Sequence, residues 1–342
     1  MEQELTTQTL EQDTANETAV VKTAKKAYSK SFLNLGLFSV ITVSLQLGLS
    51  FLFAKLFPDI EGAAAENASY LISFLTMYAI AFPIYVVLNR KMELCPPKQE
   101  KMTPGWFFVY LLIGRAVAMV GTYISMLVTA IVAKLSDVNV EDTTLTDAVM
   151  GENPTLILIF AVFGAPIVEE LMFRKILIDR IRKYGDGKAI VLSGVLFGVF
   201  HGNVTQMFYA AALGLMLAYV YVKTGKVIHT ILLHMAFNFL GAVAPLLFHA
   251  DELMKLLADP SAQNFSESNL IMSGFFVLIN YSMVIAGAIL LVVLIAKGQL
   301  FQIEKPVQPL PERKNFSVPC LNLGMLVFTV TVLAVFAYNI FG

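Results

Sequence analysis

The sequence carries very little charge for its length: only 14% of its 342 residues are charged, and the formal net charge is −1. Such a chain lacks the basic surface that nucleic-acid binding requires, so no nucleic-acid partner is expected. Cysteine is almost absent as well, since Cys95 and Cys320 stand in unrelated contexts without a Cys-x-x-Cys motif. Two such cysteines indicate neither a disulfide framework nor a thiolate metal site.

Hydrophobic residues are abundant instead: they make up 57% of the chain, and the mean hydropathy is +0.71. Most of the apolar runs approach the ~20 residues that a helix needs to cross a bilayer. The sequence therefore predicts an all-α, polytopic membrane helical bundle with eight or nine transmembrane helices, eight if the short fifth run does not cross. The runs are 32–57, 69–89, 105–133, 154–174, 189–202, 204–222, 227–248, 270–296 and 319–341.

The loops between these runs alternate in charge. Lysine and arginine collect in every second loop, and cytosolic loops hold an excess of these residues. The alternation predicts a multi-pass protein of the cell membrane with a cytosolic N-terminus. The basic loops contain residues 90–101, 175–188, 223–226 and 297–314.

The chain divides into four segments. Residues 1–31 are polar and are expected to form a disordered cytosolic tail. Residues 32–149 are expected to form N-terminal transmembrane helices, and residues 150–248 hold the polar motifs described next. Residues 249–342 are expected to form C-terminal transmembrane helices joined by a Pro-rich linker.

Two adjacent carboxylates, Glu169 and Glu170, lie at the end of the fourth apolar run. Charged groups within a membrane segment are costly and are usually functional. Arg174 follows Glu170 by one helical turn, so these two side chains can pair. Glu169 points about 100° around the helix and is left free to accept a proton. The alternative is a buried ion pair that only fixes helix packing.

A histidine closes the short fifth run, where Phe197-Gly-Val-Phe-His201 is followed by Gly202 and Asn203. The glycine predicts that the helix stops there. Non-helical backbone at membrane depth is tolerated only inside protein or beside a water-filled cavity, so water is expected near His201. The alternative is a histidine that serves packing or lies at the membrane interface.

The seventh run carries His234 and Asn238 at i and i+4, so both lie on one helix face and can donate hydrogen bonds toward one point. Interhelical hydrogen bonding is the alternative. A hairpin about residues 185–187 would bring Glu169 and His201 to matching depths, and His234 lies at a comparable depth. We therefore expect one shared pocket in the cytosolic third of the bilayer.

These motifs, Glu-Glu-x-x-x-Arg, Phe-x-x-x-His and His-x-x-x-Asn, occur in that order on consecutive apolar runs. They resemble the type II CAAX prenyl endopeptidase family and its bacteriocin-processing relatives, over residues 150–245. The resemblance implies that 150–248 is the catalytic core of an intramembrane protease open to the cytosol. It also implies cleavage near the C-terminus of a prenylated or membrane-associated peptide or protein.

The resemblance assigns a role to each motif residue. Glu169 corresponds to the catalytic glutamate, and His201 to the histidine that helps it to activate water. His234 and Asn238 correspond to residues that stabilise the tetrahedral oxyanion. Glu170 and Arg174 correspond to a pair that supports the catalytic residues.

A metal-free mechanism is favoured, and zinc held by Glu169, His201 and His234 is the alternative. The chain lacks the His-Glu-x-x-His signature of metalloproteases, and Asn238 is a better hydrogen-bond donor than zinc ligand. Two other functions stay open at this point. One is a non-catalytic bacteriocin-immunity or peptide-binding membrane protein, and the other is an ion-coupled transporter.

Overall fold

The structure, a computed structural model, describes residues 2–136, 154–258 and 265–341. These residues are almost all helical and include no strand, which confirms the predicted all-α class. The boundary expected at residues 149–150 lies outside the described residues. The principal helices are α1 (Glu2–Leu56), α2 (Ala63–Asn89), α3 (Pro104–Ser136), α4 (154–181), α5 (Asp186–Phe200), α6 (Val204–Thr224), α7 (Val227–Leu247), α8 (Ala250–Ala258), α9 (Glu267–Ala296) and α10 (Leu323–Phe341).

Seven helices in the described part are long and apolar enough to cross a membrane, as a polytopic bundle requires. They are α1, α2, α3, α6, α7, α9 and α10. Eight or nine were expected, and the difference lies in α4 and α5. Helix α5 has 15 residues. At 1.5 Å per residue it reaches only about 22 Å, short of the ~30 Å hydrocarbon core. Helix α4 carries a cluster of charged residues in its second half.

The N-terminal segment differs from the disordered tail expected over 1–31. It is the first part of α1, a single helix of 55 residues. Ala24, Tyr28 and Phe32 are fully buried and follow one another at four-residue steps, so they form an apolar stripe on one helix face. The Tyr28 ring lies 5.5 Å from the ring of Tyr184, in the turn after α4. This packing orders a segment whose composition alone suggested disorder.

A tight turn joins α4 to α5 at the predicted position. Gly185 has φ 137°, a conformation that other residues rarely adopt. Arg182 pairs across the turn with Asp186 at 2.9 Å. Lys183 pairs with Glu93 in the α2–α3 connection. Burial acts to lower the pKa of Lys183, but its hydrogen bond with Glu93 holds that pKa above its usual range. The hairpin is thus fixed to the rest of the bundle by charge pairs.

A second turn leads from α5 into α6. Helix α5 ends at Phe200, and Gly202 follows with φ 65°. Asn203 then caps α6, since its side-chain oxygen accepts a hydrogen bond from the backbone N–H of Thr205 at 2.8 Å. The helix stop expected after His201 is confirmed.

Helix α6 packs against both α5 and α3, and α7 packs against α4. The α5–α6 contact depends on Gly198, because an added Cβ would lie 2.3 Å from the carbonyl oxygen of Met207. Phe173 of α4, Phe197 of α5 and Leu217 of α6 are almost fully buried between these helices. In a membrane bundle such side chains hold helices together by close van der Waals packing. This core holds the motif-bearing helices side by side.

Candidate active site

A buried group of three charged or polar side chains joins α4 to α7. The guanidinium Nε of Arg174 lies 3.0 Å from Oε2 of Glu170, and Nδ1 of His234 lies 2.9 Å from Oε1 of the same carboxylate. Glu170 and Arg174 are fully buried, and His234 is nearly so. The Glu170–Arg174 pair that the spacing predicted is therefore present. Both oxygens of this carboxylate are engaged, so Glu170 is a structural anion.

Arg174 is held mainly by charge and by an aromatic ring. Its guanidinium carbon lies 4.6 Å from the centroid of the Phe197 ring, a favourable cation–π distance. Among the described residues, its N–H groups find no acceptor in hydrogen-bond alignment, although Glu170 is close enough for an ion pair. A buried guanidinium in this setting depends strongly on the single carboxylate beside it.

Glu169 lies beside this group but in a different setting. Its side chain is 15% exposed, and Oε2 lies 3.8 Å from Nε2 of His234. The hydroxyl of Tyr78 in α2 makes a long hydrogen bond to Oε1, at 3.5 Å. Since Nδ1 of His234 faces Glu170, Nε2 is the ring nitrogen that faces Glu169. A separation of 3.8 Å is too long for a direct hydrogen bond and suits a bridging water.

His201 lies at the end of α5 and is joined to the group through Phe197. Its Nδ1 lies 2.8 Å from the backbone oxygen of Phe197, and a carbonyl can only accept, so Nδ1 carries the proton. Nε2 is therefore the ring nitrogen that this hydrogen bond leaves available. The Phe197 ring packs edge-on against both imidazoles, with centroids 4.9 Å from His201 and 5.6 Å from His234. The described polar contacts of Glu169 are with Tyr78 and His234, and the Phe197 ring links His201 to His234.

Asn238 faces α4, as its spacing from His234 predicted, but it is already engaged. Its amide nitrogen donates to the backbone oxygen of Ala161 at 2.7 Å. This acceptor is free because the N–H of Ala165 goes to Phe160 and the next residue, Pro166, has no N–H. Proline thus supplies the carbonyl that anchors Asn238.

Wide, π-helical turns surround the site. They cover Leu75–Ala81 in α2, Ile157–Gly164 and Leu171–Ile178 in α4, and Phe239–Val243 in α7. A proline follows two residues after three of them, at Pro83, Pro166 and Pro245. Proline removes a donor and crowds the preceding turn, which loosens the helix there. Such turns are rare in proteins overall, but where they occur they often lie at functional sites.

Tyr78 is the site residue that the sequence reasoning missed. It lies in the wide turn of α2, far in sequence from the motifs, and its ring packs 4.5 Å from that of Phe74. Phe74 in turn packs against Phe160 of α4. The one available signal in the sequence was a proline inside each of three apolar runs, at Pro83, Pro166 and Pro245. The proline of α2 thus resembles those of α4 and α7, which carry motifs.

The stretch that carries all three motifs is similar to a known family. Residues 151–240 match the family model described as type II CAAX prenyl endopeptidase Rce1-like. We call this stretch, by its similarity to that family, the Rce1-like domain. The resemblance expected from the motifs is confirmed for this domain, which is about a quarter of the chain. It contains all six predicted site residues, whereas Tyr78 lies outside it.

One curated relative extends this similarity only a little. Over 99 residues the chain is 29% identical to the "Putative membrane peptidase YdiL" of Bacillus subtilis (strain 168). The match covers 29% of this chain and 40% of that protein, so it spans less than half of the relative's length. No solved structure matches the chain.

The donors of the Rce1-like domain do not fit a zinc site. Within the described ranges, no three His, Cys, Asp or Glu side chains converge in a way that could hold a metal ion. Of the residues in the zinc alternative, His234 faces Glu169 through Nε2, whereas the described polar contact of His201 is with the backbone of Phe197. The Nδ1 hydrogen bonds of the two histidines do not bear on this point, because zinc-binding histidines commonly donate from that nitrogen. The metal-free mechanism stays a prediction.

Proposed function

We propose that this protein is an intramembrane endopeptidase that hydrolyses a peptide bond by activating water. The observation that supports it best is the different setting of two neighbouring carboxylates. Glu170 is fully buried and paired with Arg174, while Glu169 is 15% exposed and contacts Tyr78 and Nε2 of His234. A general base must be reachable and must not be neutralised by a permanent cation, and Glu169 meets both conditions.

In the proposed first step, water lies between Glu169 and the scissile carbonyl. Glu169 removes a proton from the water, and the hydroxyl of Tyr78 holds its other oxygen in place. His201 presents an unprotonated Nε2 that can orient the same water. General bases of this kind contribute about 10²–10⁴-fold to a rate.

In the second step, His234 and Asn238 stabilise the oxyanion of the tetrahedral intermediate. A water in the 3.8 Å gap relays the proton taken by Glu169 to Nε2 of His234, and this proton goes on to the leaving amine when the intermediate collapses and its C–N bond breaks. The resulting imidazolium donates to the oxyanion, and Glu170 compensates its charge through Nδ1. The amide of Asn238 has two N–H groups, of which one goes to Ala161 and the other can reach the oxyanion. Such donors contribute about 3 kcal/mol each in other enzymes.

We further propose that the substrate is a prenylated or membrane-associated peptide or protein, cut near its C-terminus on the cytosolic side. The Rce1-like domain supports the class of reaction, and the basic loops support the orientation. Because the lipid-facing helices are largely apolar and exposed, the bilayer itself can deliver a lipidated substrate to the site.

The test is cleavage of a C-terminal peptide library by protein reconstituted in proteoliposomes, with half of the peptides farnesylated. Products are identified by mass spectrometry for the wild type and for Glu169→Gln. Cleavage by the wild type alone supports the proposal. Peptides that bind equally to both proteins and are never cut would favour the peptide-binding alternative. Proton-driven solute uptake by the same vesicles would favour a transporter.

A further inference from the structure

A second polar feature lies away from the candidate active site, at the junction of α1 and α10. A cavity of about 790 Å³ opens between one face of α1 and the chain that enters α10. Its walls include Lys22, Lys25 and Lys26 on one side and Cys320, Leu323 and Leu326 on the other. We call this cavity the α1–α10 groove.

The upper wall of the groove is uniformly positive. Lys22, Lys25 and Lys26 are spaced i, i+3 and i+4, so they lie on one face of α1, and all three are exposed. No acidic residue lines the groove. None of the three forms an ion pair with another described residue. Three unpaired ammonium groups around one cavity favour an anionic occupant.

The lower wall is apolar and enters the membrane. Helix α10 is one of the helices able to cross a bilayer, and it begins at Leu323. Leu323 and Leu326 are 66% and 60% exposed, so nothing within the described bundle covers them. The backbone N–H of Gly324 donates to the Ser29 hydroxyl at 3.0 Å, which fixes this end of α10 against α1. The groove therefore passes from lysines outside to leucines inside.

We propose that the α1–α10 groove binds an anionic phospholipid. The phosphate-bearing headgroup pairs with Lys22, Lys25 and Lys26, and the first part of an acyl chain lies along Leu323 and Leu326. A zwitterionic lipid carries the same phosphate beside a cationic group and has no net charge, so it would pair with the lysines more weakly, and free phosphate would match only the lysines. Basic pockets between membrane helices near the bilayer surface bind such headgroups in general. The site is independent of the peptidase proposal.

Native mass spectrometry of the delipidated, detergent-solubilised full chain tests the proposal. Phosphatidylglycerol, phosphatidylcholine and inorganic phosphate are titrated separately, and bound adducts are counted. We expect phosphatidylglycerol to bind about tenfold more tightly than phosphatidylcholine. The triple variant Lys22→Gln, Lys25→Gln, Lys26→Gln should abolish this preference.

A matched variant separates the groove from general charge. Lys91, Lys98 and Lys101 are exposed lysines of the α2–α3 connection, and replacing all three by glutamine removes the same charge elsewhere. This control should keep the preference for phosphatidylglycerol. Equal loss in both triple variants would overturn the proposal, as would tight binding of inorganic phosphate alone.

Alkylation of the two cysteines can test where the lipid binds. Cys320 lines the groove, whereas Cys95 lies in the α2–α3 connection. Burial raises the pKa of the Cys320 thiol, so alkylation by neutral N-ethylmaleimide is followed at alkaline pH. In nanodiscs that contain phosphatidylglycerol, we expect Cys320 to be alkylated several-fold more slowly than in phosphatidylcholine nanodiscs, with Cys95 unchanged. Equal rates for Cys320 in the two lipids would place the bound lipid elsewhere and contradict the proposal.

Discussion

His234 donates from Nδ1 to Oε1 of Glu170 at 2.9 Å, and this contact decides which way its ring faces. Because that nitrogen is committed, Nε2 points toward Glu169. The buried Glu170 thus orients a histidine for its neighbour in sequence. Adjacent positions on a helix point about 100° apart, which allows two carboxylates to serve structure and chemistry separately.

Tyr78→Phe removes the hydroxyl that contacts Glu169 and keeps the ring packed on Phe74. We expect kcat to fall about three- to tenfold, since a hydrogen bond of this kind contributes on the order of 1 kcal/mol. KM and thermal stability should stay near the wild-type values. Steady-state kinetics on a cleaved peptide measure the change. An unchanged kcat would show that Tyr78 does not position the base.

Pro166→Ala restores an N–H that can bond to the turn before it. We expect the wide turn at Ile157–Gly164 to tighten, so that the carbonyl of Ala161 accepts from the backbone and Asn238 loses its acceptor. Activity should then fall roughly tenfold. Stability should not fall, because alanine favours the helix by about 3 kcal/mol over proline.

The control for this prediction is Pro154→Ala, at the first residue of α4, where proline replaces no internal hydrogen bond. Its activity should match the wild type. The double variant Pro166→Ala, Asn238→Ala should lose less activity than the product of the two single fold-losses, because both changes break the same contact. Fully multiplicative losses would mean that the proline and Asn238 act separately.

The fold class and some of the contacts among the candidate site residues could be predicted because both depend on local patterns. Apolar runs give membrane helices, and the four-residue spacings gave the pair Glu170–Arg174 and the common face of His234 and Asn238. The two turns beside α5 were marked by glycine. Such signals need no knowledge of how distant helices pack.

Other features depend on packing and could not be read locally. The helical N-terminal segment is ordered by the contact of Tyr28 with Tyr184. The approach of Tyr78 to Glu169 joins residues 91 positions apart. The Phe197 ring contacts both His201 and His234, an arrangement that depends on how α5 and α7 come together.

Arg174→Met leaves Glu170 as a buried, uncompensated charge. We expect a loss of about 3–5 kcal/mol in the free energy of unfolding, measured by denaturant unfolding in detergent. The double variant Glu170→Gln, Arg174→Met should be more stable than Arg174→Met alone, because no charge is left unpaired. Additive losses would contradict a coupled pair.

Metal removal should leave the proposed peptidase activity intact. Treatment with a zinc chelator should change the rate of peptide cleavage by less than about twofold, because no group of three metal ligands converges among the described residues. Metal content of the purified protein is measured on the same sample. Activity that is lost on chelation and restored by zinc would contradict the metal-free mechanism.

The most direct test compares the two neighbouring glutamates. Glu169→Gln should lower kcat by about 10³-fold or more with little change in stability, since it removes the base from a partly exposed position. Glu170→Gln should lower stability by about 2 kcal/mol or more, while the folded protein keeps activity within about tenfold, because a glutamine oxygen still accepts from His234. Both quantities are measured on the same preparations in proteoliposomes and detergent. The reverse pattern, with Glu170→Gln inactive and Glu169→Gln active, would contradict the proposed mechanism.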